Sequence, residues 1–393
     1  MFMKEAHVFV TGGRSNFRIP SIVAANDGTI FAFCNDRKNT VEDYAQEVTL
    51  VCARKKPGCN WEAVKELVSI PGWACSMGSA VYDGQTNTVM CSGNRIPVAL
   101  NEFGKYTKEE IEKTEEEAQK RARSLNIASG QFIISSEDGG DTWNDNPMII
   151  ENTEHIHWDG TKGSIGGSCH GSAHGIQLKH GARQGRLICP SRTQIGHYND
   201  WEGLRKCCYN NAVYSDDHGR TWKASAPVQL ATGEGTLIER GDGTILYNSR
   251  AYYQDQKRYL AVSRDGGETY GEFTADEFLL EERNIGCNAS FIRVEREDLA
   301  DAYLLPEEAQ AVTIFCNPRS ATRDHMTACI SFDDGASWTA TRLIYAGPCA
   351  YSSLTYSSAT QRFYLLYEFG ESGPYDGGLR IAEFDLEWLL NKN

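Results

Sequence analysis

Three arginines, Arg18, Arg250 and Arg323, stand at the ends of expected strands in a chain of 393 residues whose formal net charge is −14. A lone arginine in such a place is commonly a surface charge. Three guanidiniums that meet repel one another, so a purely structural protein avoids the arrangement. Around a carboxylate or phosphate it becomes favourable, because each planar fork donates two parallel bonds to the anion. The acidic balance disfavours nucleic acid and anionic membrane as partners, and an anionic substrate in such a chain needs a local cationic pocket.

Hairpin geometry brings further reactive types to these arginines. Runs at 17–23 and 29–34 flank the turn Asn26-Asp27-Gly28, runs at 236–239 and 244–248 flank Gly241-Asp242-Gly243, and runs at 351–356 and 362–368 flank a polar turn at 357–361. Folding each hairpin about its turn places Arg18 opposite Arg37, Glu234 opposite Arg250 and Tyr351 opposite Glu368. All three pairs then sit at the open ends, away from the turns. A bulge shifts any such pairing by one residue.

The elements that must carry these hairpins announce themselves as repeats. The pattern Ser-x-Asp-x-Gly-x-Thr/Ser-aromatic occurs at 136–143, 215–222, 263–270 and 331–338. Ser and Asp bond back to the turn backbone, Gly supplies positive φ, and the aromatic anchors the turn against a sheet. Recurrence at tens of residues, among short β-rich runs and Gly/Asp/Asn turns, indicates an all-β propeller. In a four-stranded blade the first and third turns share one face of the ring. With the boxes as third turns, the hairpin ends gather on the opposite face. One segment breaks the pattern: 107–125 opens with the capping box Thr107/Glu110 and carries Glu109–Lys113, Glu116–Lys120 and Glu117–Arg121 at i, i+4. It reads as an inserted helix near 105–125, solvated on a long loop, with a lid or an oligomer contact as alternatives. The terminus at 384–390 is short and amphipathic and is expected to dock and close the ring.

Thirteen cysteines are an odd number, without any Cys-x-x-Cys pair. They read as reduced core residues in a reducing compartment. The start of the sequence shows no basic region followed by an apolar stretch, which agrees with a cytoplasmic location. No apolar run is long enough for a membrane span. The histidines His155, His157, His170, His174 and His180 lie close in sequence, but Gly and Ser around His170 and His174 argue against helical ligation, and no metal is expected.

The order of motifs resembles that of the sialidases (neuraminidases) of bacterial and animal type: Phe17-Arg18-Ile19-Pro20, Arg37 with Asp43 six residues on, Glu234, Arg250, Asn317-Pro318 followed by Arg323, Tyr351-Ser352-Ser353-Leu354, and Leu366-Tyr367-Glu368. The likeness runs to Leu386-Glu387-Trp388-Leu389 and omits only the helical insert. It implies a six-bladed β-propeller spanning residues 1–393 as one catalytic domain. It also implies an exo-α-sialidase, a glycoside hydrolase that acts on sialylated glycans with retention through a tyrosyl-enzyme intermediate, with no cofactor. Arg18, Arg250 and Arg323 would hold the substrate carboxylate, with Arg319 the rival for the third place. Arg37 would face the 4-hydroxyl region of the sugar. Asp43 would be the acid/base, Tyr351 the nucleophile, Glu234 its base, and Glu368 the support that orients Arg18. The runs at 170–178 and 185–190 also look like family strands, with scaffold roles.

The chemistry explains these types. Retaining glycosidases ordinarily use two carboxylates, and sialidases with a tyrosine nucleophile are a known exception. Sialic acids carry a carboxylate on the anomeric carbon, so an anionic nucleophile would approach against like charge. A neutral phenol avoids this, but with a free pKa near 10 it needs a base. One departure concerns specificity. Met77-Gly78-Ser79 stands where the family commonly shows Met-Asp-Pro, whose aspartate helps bind the 4-hydroxyl and amide side of the sugar. Related ulosonic acids such as Kdn and Kdo therefore stay open as substrates. A trans-sialidase, for which Trp73, Trp158 and Trp201 could serve an acceptor, and a non-catalytic glycan-binding propeller are the rival readings. The last predicts loss of Asp43, Glu234 or Tyr351, and all three are present.

Overall fold

The structure, a computed structural model, describes residues 1–42, 46–98, 130–151, 153–156, 162–164, 173–194, 208–284 and 286–391, with single positions between 109 and 120 and between 202 and 205. Antiparallel meanders follow one another along the chain. The first comprises Ser15–Ala24, Ile30–Lys38, Val48–Lys55 and Lys65–Val68. The second comprises Trp73–Asp83, Thr88–Pro97, Gly130–Ser136 and Asn144–Pro147. Next come Ile176–Gln177, Leu187–Gln194, Cys208–Ser215 and Trp222–Ala224, then Thr232–Glu239, Ile245–Ala251, Lys257–Ser263 and Gly271–Leu280. Ser290–Glu295, Ala311–Pro318 and Asp324–Ser331 pair onward with the first half of the 18-residue strand Ala340–Ser357. The second half of that strand pairs with Arg362–Phe369, which leads to Gly378–Phe384 and finally to Met3–Val10.

The fold is an all-β propeller. The first strand of each meander faces a central cavity of about 780 Å³, lined in turn by Val23, Tyr82, Ile176, Ile238, Ile292 and Thr355. Ser15–Ala24 packs on Ala340–Ser357 and so joins the two ends of the ring. The closing strand comes from the N-terminus: Met3 lies opposite Phe384. The C-terminal segment contributes a short helix, Leu386–Leu390, capped by the Asp385 carboxylate on the Trp388 amide (2.8 Å) and docked through buried Leu386 and Leu389. Of the expected insert, Glu109, Lys113, Glu116 and Lys120 are helical and exposed; the rest of 105–125 lies outside the described residues. The described cysteines are free thiols, all buried except Cys59.

Each Ser-x-Asp box forms the turn between the third and fourth strands of its meander. In the box at 215–222, Ser215 Oγ donates to the Asp217 carboxylate (2.8 Å) and accepts from the Gly219 amide (2.8 Å). The same carboxylate accepts from the Thr221 amide (2.9 Å) and hydroxyl (2.7 Å). The aromatic then points into the joint with the preceding meander. Trp143 meets Phe31 and Phe33 edge-on at centroid distances of 6.3 and 5.8 Å, and Trp222 packs with Val81, Met90 and Ile133. Trp338 lies among Phe278, Phe291 and Phe315. The boxes therefore serve packing between blades, where large rings bury area at low entropic cost. The tight approach needs glycine: at Gly140, φ +86°, a Cβ would come within 2.5 Å of Phe31.

Candidate active site

On the face away from the boxes, four first strands are irregular at corresponding ends. Pairing shifts between Arg18 and Ser21, Met77 and Ala80, Thr232 and Gly235, and Cys349 and Ser352. A bulge twists the strand and re-aims a side chain, and Arg18, Glu234 and Tyr351 all lie at these places. The first bulge corrects one expected pairing: Arg18 stands opposite Asn35, while Arg37 stands opposite Asn16. Ile19 takes up the distortion with φ +65°, a costly conformation for a β-branched residue.

These side chains meet around Tyr351. The guanidinium carbons of Arg18, Arg250 and Arg323 lie 5.9, 5.7 and 5.7 Å from the centroid of its ring. Its hydroxyl donates to Glu234 Oε1 (2.7 Å) and accepts from Arg250 Nη1 (2.5 Å), and the same Arg250 nitrogen bonds Glu234 Oε2. Glu368, fully buried, accepts from Arg18 Nε (2.6 Å), the Ile19 amide (2.9 Å) and the Tyr351 amide (3.1 Å). One carboxylate thus fixes both Arg18 and the backbone of Tyr351. Burial pushes the Tyr351 phenol well above its usual 10 against the pull of Arg250. Burial also pushes the Glu234 carboxyl up, but Arg250, Arg192 and the Tyr351 hydroxyl outweigh it and hold it at about 2. The site therefore offers a neutral phenol hydrogen-bonded to an ionised carboxylate, inside a cationic ring suited to an anion.

The BNR repeat-like domain family matches residues 111–364. A sialidase of Micromonospora viridifaciens is 30% identical over 388 residues, 96% of this chain and 52% of that protein. The chain belongs to the sialidase family. It spans about half the length of that relative. Among solved structures, Hadza microbial sialidase Hz136 superposes with a TM-score of 0.71 at 20% identity, over 95% of this chain and 66% of that one. An intramolecular trans-sialidase from Ruminococcus gnavus, solved with oseltamivir carboxylate, superposes at 0.69 with 16% identity, over 98% of both chains. At these identities the two structures speak to the fold.

Other residues of this sialidase-family chain fall as follows. Arg37 is buried and donates to the Val41 carbonyl, to which Arg18 Nη1 also donates (3.2 Å). Asp43 itself lies outside the described residues. Gln46 bonds the Thr40 amide (3.2 Å) and carbonyl (3.1 Å). Arg319 turns elsewhere: it donates to the Phe278 carbonyl (2.7 Å) and stacks on the Phe278 ring at 4.4 Å. At the divergent Met77-Gly78-Ser79, the Met77 amide bonds Asn35 Oδ1 (2.7 Å) and the Ser79 hydroxyl donates to the Pro190 carbonyl (3.4 Å), so the segment is tied to its neighbours.

Sequence reasoning passed over three contributors. Arg192, just beyond the run at 185–190 given only a scaffold role, adds positive potential at Glu234. The Gly286 carbonyl accepts from Arg323 Nη2 (3.0 Å). Tyr375 bonds Arg323 through its hydroxyl and lays its ring on Arg18. A lone aromatic within the turn Gly370-Glu-Ser-Gly-Pro-Tyr-Asp-Gly377 was the available signal for it.

Proposed function

We propose that the protein is an exo-α-sialidase that cleaves terminal sialic acid from glycans with retention of configuration. The observation that carries this reading is the Tyr351 hydroxyl, held between Glu234 and Arg250 with three guanidiniums around its ring. Arg18, Arg250 and Arg323 grip the substrate carboxylate, while Arg37 faces the 4-hydroxyl side. Tyr351 Oη attacks the anomeric carbon, its proton passes to Glu234, and Asp43 protonates the departing oxygen. Water then attacks the same carbon, giving its proton to Asp43, and Tyr351 recovers its proton from Glu234 as it leaves. An unassisted transfer from a raised phenol to a carboxyl at about 2 is steeply uphill. It becomes feasible as the new O–C bond drains charge from the phenol oxygen. A substrate carboxylate that engages Arg250 also loosens that residue's hold on Glu234.

We read the ring as six blades, one for each meander, forming a single catalytic domain. The deciding experiment is turnover of fluorogenic Neu5Ac, Neu5Gc, Kdn and Kdo ketosides, with product analysis separating hydrolysis from transfer. Tyr351→Phe is expected to lose several orders of magnitude in kcat, and a fluorinated ketoside inactivator to add its mass to a peptide containing Tyr351. A folded protein inert on the whole panel, or a Tyr351→Phe variant of unchanged kcat, sinks the proposal.

A further inference from the structure

We infer that Tyr375 is a positioning residue of the arginine pocket: its ring fixes the plane of Arg18 and its hydroxyl fixes Arg323, so both guanidiniums are aimed before an anionic ligand arrives. The inference rests on the functional reading above. The Arg18 guanidinium carbon lies 3.7 Å from the Tyr375 centroid, far closer than its 5.9 Å from Tyr351. Stacking at this distance leaves the donor edges of Arg18 in plane, where two of them already meet Glu368 and the Val41 carbonyl. The Tyr375 hydroxyl accepts from Arg323 Nη1, whose neighbouring nitrogen bonds Gly286. One phenol therefore couples two cations that would otherwise repel. A carboxylate in its place would couple them more strongly but would neutralise the pocket and compete with the ligand. A π face and a neutral acceptor hold the cations without consuming their charge.

The loop is built to present this ring. Residues 370–377 join Arg362–Phe369 to Gly378–Phe384 at the same end of the sheet as Glu368. The Asp376 carboxylate gathers the amides of Glu371 (3.1 Å), Ser372 (3.0 Å) and Gly373 (3.4 Å), which coils the chain just ahead of Tyr375. The Tyr345 hydroxyl clamps the Gly370 carbonyl (3.0 Å). Gly370 has no room for a side chain: a Cβ would stand 1.6 Å from the Asp376 carboxylate.

The test compares wild type, Tyr375→Phe and Tyr375→Leu in the full chain, by steady-state turnover of a fluorogenic sialoside and calorimetric binding of free N-acetylneuraminate. Tyr375→Leu should raise KM and Kd about tenfold, as expected for loss of a desolvated cation–π contact, with kcat nearly unchanged. Tyr375→Phe keeps the stack and should recover much of that loss. Unchanged KM in both variants, or a fall in kcat at constant KM, overturns the inference. If Tyr375→Leu does not fold, Tyr375→Phe decides alone: loss of the bond from Arg323 must still raise KM about threefold, and an unaltered KM refutes. A folded wild type that neither binds nor turns over sialosides sinks the functional reading, and this inference with it. An active wild type with unaltered variants sinks this inference only.

Discussion

Glu368→Gln is the sharpest probe of how the pocket is held. Oε1 of Glu368 accepts from Arg18 Nε (2.6 Å) and the Ile19 amide (2.9 Å), and Oε2 accepts from the Tyr351 amide (3.1 Å) and Arg18 Nη2 (3.4 Å). Glutamine keeps the volume but turns one oxygen into an NH₂. Whichever oxygen is replaced, two donors then face a donor. The Arg18 side chain, 8% exposed, also loses its buried counter-charge. Breaking one side of a buried ion pair costs about 3–5 kcal/mol. The urea midpoint of the variant should fall accordingly at an unchanged slope, and turnover should fall with it. Arg18→Met added to Glu368→Gln removes the orphaned cation, so the double variant should be more stable than Glu368→Gln alone while remaining inactive. A loss below about 1 kcal/mol for Glu368→Gln, or a double variant as unstable as the sum of the two singles, would refute the reasoning.

Arg250→Lys keeps the charge and one donor for Glu234 and the Tyr351 hydroxyl, which Arg250 Nη1 alone serves, but it loses the planar fork for a carboxylate; KM for a sialoside should rise about tenfold or more, and an unaltered KM argues against carboxylate binding there. Glu234 gives a pH signature. Its carboxyl is held at about 2 against an ordinary 4.5, so its ionised form contributes stability that is complete above 4.5 and is lost as pH falls towards 2. The stability advantage of wild type over Glu234→Gln should therefore narrow through that window, and denaturation midpoints at stepped pH that show a constant gap would contradict it.

Much of the scaffold was legible because turns are local. The Asp, Gly and Ser of each box act within a few residues of one another, so their chemistry is written in contiguous sequence. The hairpin arithmetic brought Glu234 to Arg250 for the same reason: Gly235 stands opposite Ser249, and Glu234, in the adjoining bulge, bonds the Arg250 side chain. It missed at Arg37 because the bulge after Arg18 depends on packing against Glu368, some 350 residues away. Tyr375, Arg192 and the carbonyls of Val41 and Gly286 were hidden for a related reason. A backbone acceptor has no residue type to recognise, and an aromatic or arginine at a loop end is ordinary until the fold shows what it faces. Closure by Met3–Val10 is likewise non-local, since its partner strand is near the other end of the chain.

The two faces of the ring are built for different tasks. At the box face the turns satisfy their own polar groups and send their rings into the blade joints; His218 and Asp334 take positive φ there, within tight turns. At the other face the first strands bulge, Ile19 adopts positive φ ahead of Pro20, and like charges crowd around one phenol. Each of these costs free energy locally. None improves packing, whereas together they point arginine forks and a tyrosine hydroxyl into one space. Bulged first strands and crowded like charges where the reactive side chains meet are what a scaffold shows when a ligand, rather than the fold, dictates the geometry. The bulges are therefore the physical link between the repeats and the chemistry: the repeats set strand ends around a common axis, and the bulges in four first strands turn the side chains there inward.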